Sequence, residues 1–196
     1  MRFPSRSPAS EHVACQRTPL PRPLRRVVRL EAVSIDLRNE RAEFQAYLRR
    51  RVAQQVERAP GEPVRLIQFG FEMGQGNAVV LYFDTRPDAE PDGTWDNAYG
   101  DGSEVLDRPD WPVWHELPDD AKVELIGLAG ERIDMGSDRA IELVGECLKE
   151  VLLAAKADGD LSPLPKATPC GLAVEHSEGY YGWPAFEEKD EPTNCV

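Results

Sequence analysis

The chain has 196 residues, 41% hydrophobic and 30% charged, which fits one well-filled globular domain and excludes a fibrous or wholly disordered chain. No apolar run approaches the roughly 18 residues that cross a bilayer as a helix. The net charge of −12 is unevenly spread, with 13 basic and 6 acidic residues in 1–60 against 10 and 29 in 61–196, so the acidic body repels phosphate backbones, disfavours nucleic acid and attracts a basic partner.

Residues 1–30 hold seven arginines, five prolines and one acid. Such a stretch buries too little apolar surface to offset chain entropy, and we read 1–33 as a disordered basic extension. Its composition suits a transit peptide, a basic tail or an extension from an upstream start codon. Prolines spoil the amphipathic helix of the first, and we take the last as the expectation. The domain is expected over 34–188, and 189–196 as a frayed acidic tail.

The first helix is expected over 38–57. Phe44, Leu48, Val52 and Val56 recur every fourth residue beside Tyr47, Asp36 or Asn39 can cap the start, and the stretch APGEP stops the helix. Arg49, Arg50 and Arg51 fall on its solvated side. Residues 64–72 and 77–85 are rich in β-branched and aromatic residues and flank MGQGN, which predicts a hairpin buried on both faces. The GQGNA stretch is no phosphate loop, because it lacks the Lys and Ser/Thr and leads into a strand.

Residues 84–120 form a long segment rich in Asp, Pro, Gly and Trp, a length that points to a function or to short elements of its own. A weaker helix is expected over 119–130. The strongest helix is expected over 138–157, capped by Ser137, ended by Gly159 and carrying an apolar stripe of Ile141, Val144, Leu148, Val151, Leu152 and Ala155. Cys147 joins that stripe. With no C-x-x-C, Cys15, Cys147, Cys170 and Cys195 read as reduced thiols of a cytoplasmic protein.

A strand is expected at 169–176, followed by a turn at Ser177–Gly179 and the stretch YYGWPAF. Of Tyr180 and Tyr181 one should enter the core and one stay wet. Trp183 and Phe186 should seal the sheet edge against the long acidic segment, like a clasp. The strands cluster as hairpins rather than regular βαβ units. The fold class is therefore α+β, an antiparallel or mixed sheet with two main amphipathic helices packed on one face.

Catalytic signatures are weak. Asp88, Glu90, Asp92, Gly93 and Asp96 match the front half of a calcium loop, but position 12 is Tyr99 and a strand precedes it. Zinc hydrolysis needs clustered ligands, and there is no H-E-x-x-H. A pair of His115 and His176 with nearby carboxylates stands as the alternative, a small metal-dependent hydrolase or ligand-binding enzyme. No G-x-S-x-G supplies a nucleophile elbow. We expect no catalytic residue, no metal and no cofactor.

The tryptophans are more informative. Trp95, Trp111 and Trp114 lie in the acidic segment, where each either plugs the loop onto the core or anchors a partner. The partner-binding candidates are Asp88, Asp92, Trp95, Asp96, Trp111, Trp114, His115 and Glu116, aromatic anchors ringed by acids that steer a basic protein surface. Together YFDTRPDAEPDGTW, RPDWPVWHEL and VEHSEGYYGWPAF, with a helix between the second and third, resemble small uncharacterised bacterial proteins, some of which are thought to be immunity partners of secreted toxins. The resemblance covers about residues 36 to 186 and carries no catalytic residue. It implies a cytoplasmic, non-catalytic binding protein whose acidic face meets the basic active-site region of a toxin.

Overall fold

The computed structural model describes residues 33–74, 77–86, 104–108, 111–112 and 123–185. Among these, the chain runs β1 (Val33–Asp36), α1 (Leu37–Arg58), β2 (Val64–Glu72), β3 (Ala78–Asp84), β4 (Val105–Asp107), β5 (Val123–Ile126), β6 (Arg132–Asp134), α2 (Asp138–Ala157), β7 (Lys166–His176) and β8 (Gly182–Ala185). The strands form two mixed sheets. One has the order β4-β3-β2-β7-β8, with β2 and β7 parallel and the other neighbours antiparallel. In the other, β1 runs parallel to β5, which pairs antiparallel with β6. The α+β class and the two main helices match the expectation.

Alternation along the central strands builds the core. Ile67, Phe69 and Phe71 of β2 stand in register with Phe83, Leu81 and Val79 of β3, and Ile67 and Phe69 with Leu172 and Val174 of β7. This face meets the helices, Phe44, Tyr47, Leu48 and Val52 coming from α1 and Ile141, Val144, Leu148, Val151 and Leu152 from α2. Ile35, Val123, Leu125 and Met135, on or beside the smaller sheet, join the same cluster. Leu66, Val80 and Ala173, on the opposite face, are also buried, as expected for strands this apolar.

Several local expectations need correction. Residues 123–126 of the expected 119–130 helix are strand β5, followed by a turn in which Gly130 adopts φ +87°. Val123 and Leu125 are buried on either side of the half-buried Glu124, and pairing with β1 satisfies the backbone groups that a helix would have bonded internally. Ser137 sits at the N-cap of α2, but its hydroxyl donates to the Asp134 carbonyl at 2.7 Å instead of accepting from the helix. The arginine run on α1 is not uniform: Arg49 and Arg50 are exposed, whereas Arg51 is buried. On α1 the cap is as expected, the Asp36 carboxylate accepting from the Arg38 N–H at 3.0 Å.

Two polar knots tie the connections to this frame. The Tyr47 hydroxyl accepts the Leu81 N–H at 3.0 Å and donates to the Glu104 carbonyl, bridging α1, β3 and the entry to β4. Asn77, at φ +46°, accepts the Gly74 N–H on Oδ1 and donates from Nδ2 to the Trp111 carbonyl at 2.9 Å. Cys147 is fully buried, as expected for the stripe, and burial pushes its thiol up to about 12.

Candidate functional site

Asp88, Asp92, Trp95, Asp96, Trp114, His115 and Glu116 lie outside the described residues. Trp111 lies within them and is 2% exposed, so it is not an exposed anchor. Its ring meets Phe44 edge-on at 6.4 Å and lies under the Arg108 guanidinium, which itself pairs with Glu40 and Glu43 of α1. Of the two roles open to a loop tryptophan, Trp111 takes the plug, because burying the indole against Phe44 removes its large apolar surface from water.

The described residues with the most suggestive surface chemistry lie at the turn between β7 and β8. The His176 N–H donates to the Tyr181 carbonyl at 2.9 Å and the Gly179 N–H to the His176 carbonyl, closing the loop Ser177–Tyr180. Gly179 takes φ +76°, a left-handed conformation that a side chain would strain. The two tyrosines divide as expected. Tyr180 is 59% exposed, its ring edge-on to His176 at 5.6 Å. Tyr181 turns inward beside Phe71 and onto Gly145 of α2, and its hydroxyl donates to Glu146 at 2.9 Å.

Glu146 links the turn to α2. Partial burial works against its charge, but hydrogen bonds from Lys149 and Tyr181 prevail and hold its carboxyl below the ordinary range. Lys149 also stands 5.5 Å above the Trp183 ring. Trp183 thus packs toward α2. Within the acidic segment, β4 borders β3 at the sheet edge opposite β8. Residues 87–103, 113–120 and Phe186, on which the expected clasp depends, lie outside the described residues. Glu178 at the tip is exposed, and Glu142, Glu146 and Glu150 follow one another at fourth-residue spacing along α2. The rim is acidic.

His176 sits beneath Tyr180, 2% exposed and edge-on to Phe71 at 5.1 Å. Its Nδ1 accepts the Glu178 N–H at 3.2 Å, so the neutral ring carries its proton on Nε2, a buried atom with no partner among the described residues. With Nδ1 engaged, the ring is not placed to act through that nitrogen as a base toward neighbouring Ser177. No group of three or more His, Cys, Asp or Glu side chains among the described residues is arranged to hold a metal ion.

Burial lowers the His176 pKa, and the charge of Glu178 opposes the change. The ring is then neutral in the fold at a pH where the unfolded chain, with an ordinary value of about 6.5, begins to take up a proton. Stability is therefore expected to fall as pH drops through about 6.5, with a slope of at most about 1.4 kcal/mol per pH unit from this group. Urea midpoints for the wild type and His176→Asn, measured from about pH 7.5 to 5.5, isolate the effect from the other two histidines. Identical pH dependence in the two proteins would show that His176 does not contribute.

Tyr180 is one of the two large hydrophobics described as exposed, and the sequence signal that separates it from Tyr181 is Gly145, which leaves a bare patch on the buried face of α2. Comparison with protein-family models, with curated proteins and with solved structures finds no match to this chain.

Proposed function

We propose that the protein is a non-catalytic binding module, of the immunity type, whose acidic face docks a basic protein surface such as that around a toxin active site. In this reading it works in the cytoplasm by direct contact. The supporting observation is Tyr180, an exposed aromatic seated on the buried His176 ring beside the exposed Glu178. A rigid aromatic supplies contact area at low entropy cost, and surrounding carboxylates steer a cationic partner toward it. The net charge of −12 extends that steering field over the molecule.

The test is affinity capture from the native host with three baits: wild type, Tyr180→Ala and Glu178→Lys. A basic protein held at low salt and released as salt rises is expected with the wild type. Tyr180→Ala should weaken its binding by about 30-fold, the size of a typical hot-spot loss of about 2 kcal/mol. Glu178→Lys should slow association. A partner that binds both variants as it binds the wild type, or one insensitive to salt, would refute the proposal.

A further inference from the structure

The β7–β8 turn is tied to the sheet by two bonds of different chemistry. At its start the Ser177 N–H donates to the Phe71 carbonyl of β2 at 2.9 Å, a bond between backbone groups that pH does not touch. At the next residue the Glu178 N–H donates to Nδ1 of His176 at 3.2 Å, a bond that exists only while that nitrogen keeps its lone pair. The ring is 2% exposed, edge-on to Phe71 and covered by Tyr180, and its Nε2 has no partner among the described residues. A proton on Nδ1 turns two N–H groups toward each other and leaves a buried cation without an acceptor.

The surroundings do little to hold that cation. Glu178 favours it through its charge, but the side chain is exposed to water. On β2 the ring meets Phe71, while the adjacent Glu72 projects from the other face by strand alternation. Glu175 of β7 likewise faces away and accepts from Gln68. Toward α2 stands Tyr181, whose hydroxyl is engaged by Glu146, itself paired with Lys149 above Trp183 of β8. Opening the turn relieves the deficit. It returns the ring to water and breaks two local bonds, the one from Glu178 and the one from the Gly179 N–H to the His176 carbonyl.

We propose that His176 is a proton-operated latch: protonation of its ring opens the β7–β8 turn beyond Ser177 and lifts Tyr180 from the sheet while the rest of the fold stays closed. Burial disfavours the charged ring in the closed turn, and Glu178 opposes that only in part. In the open turn the ring is in water and takes up its proton near the ordinary value of about 6.5. The open form therefore gains as pH falls through about 6.5, by up to about tenfold between about pH 7.5 and 5.5, and levels off below the value of the closed form. The opening belongs to the free protein. Its consequence, docking that weakens in acid, rests on the reading of Tyr180 as the contact surface.

The test follows amide exchange of the full chain by NMR at about pH 7.5 and 5.5, each with and without sub-denaturing urea, with rates referred to their intrinsic values. Protection at Glu178 and Gly179 is expected to fall several-fold, up to about tenfold, at the lower pH and to ignore urea, the mark of a local opening that exposes little surface. In His176→Gln, whose side chain takes up no proton, protection at both positions should not depend on pH. If that variant fails to fold, the wild-type response to pH and urea decides. Unchanged protection in acid, a loss that grows with urea as it does in β2 and β3, or the same loss in His176→Gln overturns the latch. Affinity capture at the same two pH values and one salt concentration reads the consequence, and weaker capture in acid is expected. Opening without loss of capture leaves the latch standing and removes Tyr180 from the docking surface, so the two readings fail separately.

Discussion

Replacing Arg108 by methionine is expected to destabilise the protein by about 3 kcal/mol or more, the largest single-residue loss anticipated outside the apolar core. The guanidinium is buried between Glu40 and Glu43 of α1 and the ring of Trp111, and its backbone N–H donates to the Asn77 carbonyl at 2.8 Å. The two carboxylates are not equivalent. The Glu40 side chain is 13% exposed and Glu43 is 58% exposed, so removing the cation takes the Arg108 charge from a carboxylate in low dielectric while Glu43 returns to water. Methionine keeps much of the contact with Trp111, which confines the loss to charge and hydrogen bonding. Urea unfolding of Arg108→Met, Glu40→Gln and the double variant measures the coupling. The double variant is expected to regain more than half of the loss, since the buried carboxylate charge is then removed together with its Arg108 cation. A double variant as unstable as the sum of the singles would show that Arg108 acts by packing alone.

The second large effect concerns Gly145 and changes sign with its neighbour. A Cβ built on Gly145 would lie 2.6 Å from Cγ and Cδ1 of Tyr181, inside any tolerable contact and at the root of a ring that cannot simply swing its tip aside. Gly145→Ala should therefore cost about 1–3 kcal/mol as Tyr181 is pushed off α2 and its bond to Glu146 breaks. In a Tyr181→Ala background the obstacle is gone, and the same substitution should stabilise by up to about 1 kcal/mol, because alanine favours the helix over glycine. Thermal unfolding of the four proteins checks the reversal. Equal effects in both backgrounds would mean that Tyr181 does not rest on Gly145. Because Tyr181 follows Tyr180 directly, Gly145→Ala should also disturb the surface on which the proposed docking depends, and the capture experiment reads that loss.

Much of the secondary structure was legible in the residues. Both helices were expected within a residue of each bound, since their stripes recur at helical spacing and Asp36 and Gly159 mark ends that depend on adjacent residues alone. The β2–β3 hairpin was equally readable, because a glycine-bearing turn separates two strands that need only each other. The site was legible in part. The alternation at Tyr180 and Tyr181 predicted one buried ring, but which one depends on Gly145, far away in the chain. Trp111 illustrates the limit, since its sequence context suits an anchor as well as a plug and only Phe44 and Arg108 decide between them. Arg51 was misplaced because three consecutive arginines read as a solvated run, while the helix turns about 100° per residue and carries the third one under β3.

Composition and local spacing by themselves determined an acidic α+β chain with two amphipathic helices and a central apolar hairpin, because period, capping and turn chemistry act between near neighbours. Tertiary structure alone decided the parallel pairings of β1 with β5 and of β2 with β7, the conversion of residues 123–126 from expected helix to strand, the sheet edge on which β8 lies and the burial of Arg51. The physical reason is the same in each case. A short segment with weak intrinsic preference takes the conformation in which a remote partner completes its backbone bonds and buries its apolar face, and that partner is not written beside it in the chain.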